Sequence, residues 1–517
     1  MKLKRPQLVP HSSVVKLLQA AEQALQRKDF QQNFELLERA RKLDPANPAI
    51  LLQLGRSHGL RYNYAAAEEC FEKAIQLAQN KTQVMAMAAL QSWDFFNTGL
   101  PERYLRRAVE QKDATANTFA RLAELYERLN RNDAATNMVE RALHLDKACP
   151  LARLTQAKLH RQAGRLVEAE EVLNPILMAA DREFRVRGLF ERGAICDRLG
   201  RYDEAMSAIL EAKSLLIPDA SPLLAQLEST IKHLNEMRDN VSSEMLARWF
   251  DASQVLIQPA HRIALLGGHA RSGTTLLEQV LDSHPDIVSA DETRIFLDDT
   301  YTTLRRNLPE ETPMLDGLDA ASVETLRLAR ERYFQSMSLW LGRPPGERLL
   351  IDKNPSLQAL IVTFVRLFPE ARLIVALRDP RDTCLSCFML PHWPVNARIV
   401  SFLTFEGTVS TYTRVMGIWR TLKPLIKNPW LEVRYEDMVE DLEAVARKTL
   451  DFLGVSWDAK VLDFHEHARQ KPVRSPTYAD VARPVFKTAV GRWRNYQKYL
   501  EPFLPKLEPF AKAFGYE

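Results

Sequence analysis

Residues 264–281 read ALLGGHARSGTTLLEQVL, and the fold of the second half of the chain turns on them. From Gly268 to Thr275 the glycine spacing follows the phosphate-loop pattern G-x-x-x-x-G-K-[ST], except that Thr274 stands where that pattern has lysine. The apolar run RIALLGG predicts a buried strand before the loop, and TTLLEQVLDSH predicts an amphipathic helix after it. A loop between such elements turns backbone N–H groups and the positive end of a helix toward an anion. Thr274 and Thr275 add hydroxyl donors, Arg271 adds a forked cation, and Gly268, Ser272 and Gly273 complete the loop. A phosphate-loop kinase needs its lysine on the β- and γ-phosphates and an acidic partner for Mg²⁺. The threonine therefore leaves two readings: a damaged ATP site, or a loop that holds a different anion for different chemistry.

Downstream, short apolar strands are expected at Arg262 to Leu266, Arg348 to Ile351, Arg372 to Leu377 and Leu431 to Tyr435, each followed by a helix. That alternation marks a parallel α/β sheet. Upstream, the first 220 residues are rich in helix formers and carry a period. LLERA, FEKA, LRRA and VERA end at Ala40, Ala74, Ala108 and Ala142, each 34 residues from the last; Ile176 and Ala212 continue the ladder. Ala67, Ala135, Ala169 and Ala205 stand seven residues earlier, at the small positions where paired helices touch, while Pro101 occupies the equivalent place in the third unit. This period resembles tetratricopeptide repeats, about six of them from Ser13 to Pro218. Such stacked helix pairs form a solenoid with a groove, whose default role is to hold a protein or peptide, or to form a homodimer. The expected class is thus α plus α/β. A repeat array occupies 13–220, a connecting helix 221–256, and a parallel-sheet domain 257–517.

Composition narrows the partners. Charges nearly cancel, 70 Lys+Arg against 66 Asp+Glu, so no global field points to nucleic acid or a membrane surface. No apolar run approaches the length of about 18 residues that would span a bilayer. The start, MKLKRPQLVPHSSVVKLLQAAEQ, lacks the apolar stretch and cleavage site of a secretory signal. The five cysteines are scattered, and Cys384 and Cys387 lie on one helical pattern with no second pair to complete a zinc site. A cytoplasmic protein without a metal is the expectation.

GGHARSGTTLLEQVLDSHPDIVSADETRIF resembles the 5′-phosphosulfate loop of sulfotransferases, the protein-tyrosine type in particular. LIVALRDPRDTCLSCF resembles their 3′-phosphate motif, and the two occur in order about 105 residues apart. The match runs from about Gln258 to Glu517, and the whole chain resembles bacterial proteins that fuse tetratricopeptide repeats to a sulfotransferase domain.

The resemblance implies 3′-phosphoadenosine-5′-phosphosulfate (PAPS) as donor. A sulfuryl group carries less charge than a phosphoryl group, so a metal is not obligatory. The loop amides, Arg271, Thr274 and Thr275 would stabilise the leaving 5′-phosphate. By the same resemblance Arg378 and Ser386 take the 3′-phosphate, Tyr435 lies near the nucleotide, and Lys353 in LLIDKNPSLQ bridges leaving oxygen and sulfonate. Glu292 in ADETRIF becomes the base and Arg294 helps to position the acceptor; His269 is the second candidate base. Thr477 and Arg492, in PVRSPTYADVARPVFKTAVGRWRNYQKYL, match a late donor-covering loop. Blander alternatives stand beside these: an Arg378–Asp382 ion pair on a helix face, a core role for Tyr435, and helix capping for Glu292. The implied reaction is sulfuryl transfer to a hydroxyl on a peptide or protein, tyrosine included. A small-molecule or glycan acceptor, or an inactive repeat scaffold, is the alternative, and Thr274 opposes an ATP-dependent kinase.

Overall fold

The structure, a computed structural model, describes residues 12–516 apart from 28, 253–260, 306–307, 310–311, 392, 394, 398 and 471–477. It divides into two compact units, the first ending at Thr155 and the second running from Gln156 to Glu517.

The first unit is helical: α1 (Ser12–Gln26), α2 (Phe30–Leu43), α3 (Pro48–Leu60), α4 (Tyr64–Leu77), α5 (Lys81–Gln91), α6 (Leu100–Val109), α7 (Ala116–Arg128), α8 (Asn132–Leu145) and α9 (Pro150–Gln162), within which it ends. Neighbours pack as the pairs α1/α2, α3/α4, α5/α6 and α7/α8. Polar side chains start most of these helices: Asp29, Asn47, Asn63, Asn80 and Thr115 each accept a backbone N–H of the first turn. The alanine ladder is the seam, since Ala40, Ala67, Ala74, Ala108, Ala135 and Ala142 are all fully buried. Pro101 fits because it falls in the first turn of α6, behind Gly99 at φ 76°, where no helical N–H is lost.

The second unit opens with α10 (Leu166–Leu177), α11 (Arg182–Arg198) and α12 (Tyr202–Leu216). Here Ala169, Ile176, Ala205 and Ala212 continue the buried ladder. The single connecting helix expected across 222–250 is instead two, α13 (Ser221–Asn240) and α14 (Ser243–Asp251). The break has a local cause: the Ser242 hydroxyl accepts the Met245 N–H at 3.2 Å and caps a new helix.

Five parallel strands follow: β1 (Ile263–Gly268), β2 (Ile287–Asp291), β3 (Leu349–Lys353), β4 (Arg372–Leu377) and β5 (Trp430–Arg434), in the order β2-β3-β1-β4-β5. β2 is an addition to the four strands expected. Leu266, Leu277, Leu281, Ile351, Ile374 and Val433 form part of the core that fixes the sheet to its helices. The register sets Leu266 and Asp291 beside Lys353, and Gly268 beside Ala376. The carboxyl ends of β1, β2 and β3 thus converge, which is where open α/β sheets bind ligands. Among the described residues no helix is long and apolar enough to cross a membrane.

Candidate active site

The loop after β1 is held in an unusual backbone. Gly268 has φ 131° and Gly273 φ 92°; a Cβ at Gly268 would lie 2.5 Å from the Ala376 carbonyl oxygen, and one at Gly273 would lie 2.8 Å from the Tyr435 ring. Glycine is required at both places. Arg271 between them is left-handed as well, at φ 70°. The Ser272 hydroxyl donates to the His269 carbonyl at 2.6 Å and ties the loop to itself. Thr274 and Thr275 then open the helix α15 (Thr274–Asp282). They line a cavity of about 420 Å³ together with His269, Arg271, Gly273, Glu292, Arg378 and Tyr435.

One end of this cavity is cationic. Arg271 is half-buried against the loop, and its Nε donates to Ser386 Oγ at 2.9 Å. Burial pushes its pKa below the usual arginine value. Arg378, just past β4, donates to the Arg271 carbonyl at 3.3 Å and to the Ala489 carbonyl at 2.5 Å. Its guanidinium lies 5.0 Å from the centre of the Tyr435 ring. Among the described residues the buried Nε of Arg378 has no hydrogen-bond partner. A buried, cationic donor left over is a costly arrangement unless an anion meets it. Arg378 does not bond to Asp382 on the helix face. That carboxylate accepts the backbone N–H groups of Gly491 and Trp493, each at 2.7 Å.

Around Glu292 a single ammonium is shared by three carboxylates. Glu292 follows β2 with φ 46°; its N–H donates to the Lys353 carbonyl, and its Oε1 accepts from Lys353 Nζ, both at 2.9 Å. Lys353 is fully buried behind it and also meets Asp291 Oδ1 at 2.6 Å and Glu278 Oε2 at 3.1 Å. Burial pulls the lysine pKa down, but three carboxylates outweigh it and hold the ammonium well above its usual value. Glu278 is anchored in turn by the Ser289 hydroxyl at 2.6 Å. Sequence reasoning missed Glu278 and Asp291; the signal was an acid inside the apolar stretch TTLLEQVLD and another closing a strand.

The other expected residues fall in different surroundings. Arg294 is paired at 2.6–2.7 Å with Asp298, in the helical turn Phe296–Tyr301 that follows it. His269 lines the cavity, but burial lowers its pKa to about 4, and its ring stands 6.1 Å from that of Phe402 and 5.1 Å from that of Tyr412. Arg492 pairs with Asp197 of α11 at 2.8 Å. Ser386 sits behind Arg271 as its partner. Thr477 lies outside the described residues. Cys384 and Cys387 are buried free thiols, and burial pushes Cys387 up to about 12, which makes it inert near neutral pH.

Comparison with known proteins places this site in a family. Residues 264–459 match the sequence profile of the Sulfotransferase family, and residues 49–81 and 129–192 match Tetratricopeptide repeat profiles. An uncharacterised protein of Aquifex aeolicus (strain VF5) is 22% identical over 84% of this chain and 56% of its own length. Protein-tyrosine sulfotransferase A of Caenorhabditis elegans is 27% identical over 49% of this chain and 66% of that enzyme. The chain therefore spans less than two thirds of either relative. Protein-tyrosine sulfotransferase 2 of Gallus gallus is 26% identical over 49% of this chain and 71% of that enzyme. The chain joins N-terminal tetratricopeptide repeats to a C-terminal sulfotransferase domain with a parallel five-stranded sheet, and it is homologous to protein-tyrosine sulfotransferases.

Proposed function

We propose that the protein transfers a sulfuryl group from PAPS to a hydroxyl acceptor on a peptide or protein, with Glu292 as the base. The observation that carries this reading is the pairing of two cations, half-buried Arg271 and buried Arg378, with a carboxylate, Glu292, around one cavity. The unpartnered Nε of Arg378 fits a ligand with a second anionic group beyond the one at the loop.

When bound, PAPS supplies the activated sulfuryl group. The loop N–H groups, the Thr274 and Thr275 hydroxyls and Arg271 hold the 5′-phosphate and stabilise it as it leaves. Arg378 holds the 3′-phosphate, with Tyr435 stacked beside it. Glu292 accepts the proton of the attacking hydroxyl. Lys353, expected to bridge leaving oxygen and sulfonate, is fully buried and is not among the residues lining the cavity; it instead holds the Glu292 carboxylate in place, and the strained backbone of Glu292 fixes its direction. Arg294 acts from the edge of the site, and Ser386 acts through Arg271.

The cavity lining also includes Ala359, Leu390, Ile399, Phe402 and Val415. Those apolar side chains favour a hydroxyl carried on an apolar body, such as the tyrosine ring, over a glycan. The repeats recruit the protein or peptide that bears it, and the protein works in the cytoplasm. Calorimetry with adenosine 3′,5′-bisphosphate tests the donor: binding without magnesium is expected. ATP binding in its place sinks the reading.

A further inference from the structure

The catalytic unit includes more of the repeat region than the family profile for the sulfotransferase domain covers. α11 and α12 pack in the second unit with the sheet domain, through a shared core that includes Val186, Phe190, Ile209, Phe388, Trp493 and Tyr496. Within this contact one carboxylate stands out. Asp197, at the end of α11, accepts from Arg492 at 2.8 Å and from the Tyr496 hydroxyl at 2.6 Å through the same oxygen. Both donors belong to the segment 489–496, far away in sequence.

That segment is tied to the cationic end of the cavity. Ala489 supplies the carbonyl that receives Arg378. Gly491 and Trp493 give their N–H groups to Asp382, on the helix Pro380–Phe388 that follows Arg378. The Arg381 guanidinium lies 4.4 Å from the centre of the Trp493 ring. Arg378 is therefore aimed by a carbonyl whose segment is pinned on one side by Asp382 and on the other by Asp197. Hydrogen bonds to charged groups are the strong ones, and a shared carboxylate makes the clamp cooperative.

We propose that Asp197 is a positioning residue for the donor, so that a repeat helix sets the affinity of the sulfotransferase site. This rests on the reading of the site as a PAPS site. Asp197 touches no ligand; it acts through Arg492 and Tyr496 on Ala489, and through Ala489 on Arg378.

The test is calorimetry of adenosine 3′,5′-bisphosphate binding to the full chain and its variants, alongside thermal melting. Asp197→Ala is expected to weaken binding about tenfold, and Asp197→Asn, which keeps an acceptor oxygen, about threefold. Asp203→Ala is the control. It breaks a neighbouring but exposed contact, with Lys498 at 2.7 Å and the Tyr499 hydroxyl at 3.1 Å, neither of which bonds to Ala489. Its affinity should stay within about twofold of the unaltered chain. A folded Asp197→Ala protein that binds as tightly as Asp203→Ala overturns the proposal, whatever its melting temperature. Should Asp197→Ala fail to fold, Tyr496→Phe removes one of the two bonds. An affinity loss of about threefold then supports the proposal, and an unchanged affinity overturns it. If the unaltered chain itself binds no bisphosphate, the donor reading has failed, and this inference falls with it.

Discussion

The two ends of the cavity use charge in opposite ways. Around Lys353, one ammonium is shared among Glu278, Asp291 and Glu292, a closed cluster that keeps its charges to itself. Around Arg271 and Arg378, two guanidiniums spend their hydrogen bonds on a serine hydroxyl and backbone carbonyls, and the Arg378 Nε has no partner among the described residues. An ammonium enclosed by three carboxylates holds them in position. A buried guanidinium with a donor to spare suits an anionic ligand. Buried ion pairs resist the loss of one partner far more than they reward the pair, so the two ends should fail differently when broken.

The sharpest way to separate them is at the base. Glu292→Ala should lower turnover by about 10²–10⁴-fold while leaving bisphosphate affinity intact, measured by sulfate transfer and calorimetry on one preparation. Full turnover would place the base elsewhere. Next comes Lys353→Met, which strands three carboxylates and should destabilise the protein by about 3–5 kcal/mol in urea unfolding. Because the folded pKa of Lys353 is raised, its contribution is fully present below about pH 10.4. The gap to the unaltered chain should shrink only as pH climbs past that value. A small loss would mean that the cluster is wet and weakly coupled.

At the cationic end, Arg378→Ala should keep the fold but weaken bisphosphate binding about 100-fold, again by calorimetry. A melting temperature that drops as far as for Lys353→Met would erase the contrast drawn above.

The smallest effect belongs to a third buried cation, Lys213 of α12, which donates to the Phe402 carbonyl at 2.5 Å. Burial lowers its pKa to about 7. A lysine depressed in this way destabilises the fold while protonated, and the penalty fades as pH rises from about 7 toward the unfolded value of about 10.4. Relative to Lys213→Met, the unaltered chain should therefore gain about 2.5 kcal/mol between pH 6 and pH 9, read from denaturant melts. A flat difference would show that the ammonium is solvated.

What the sequence disclosed and what it hid follow from range. The loop, Arg378 and Tyr435 belong to contiguous motifs, so their chemistry could be read locally, and the repeats announced themselves by a period whose alanines are indeed buried. β2 was overlooked because Ile287–Asp291 is a short edge strand that places Ser289 and Asp291 among its apolar residues. The capping Ser242 was visible, yet a continuous apolar pattern across 222–250 masked the break. Lys353 and Glu292 were singled out, but Glu278 and Asp291 were not, because helix α15 brings the one and the β2–β3 register the other to the lysine. Arg492 was expected at the donor, while its strongest partner, Asp197, lies 295 residues away. No local pattern carries that pairing.

Glu292 and Arg271 are two of the four non-glycine residues with positive φ among those described; the others, Tyr62 and Asn130, close helices in the repeats. A left-handed backbone under a β-carbon stores on the order of 1 kcal/mol or more. At a helix end that strain is negotiable, since glycine could take the position and relax it. At Glu292 and Arg271 relaxation by glycine would delete the carboxylate or the guanidinium itself. The thermal ceiling of the second unit is therefore set in part by its chemistry, and any search for a hardier variant has room to move in the helical repeats that it lacks around the loop.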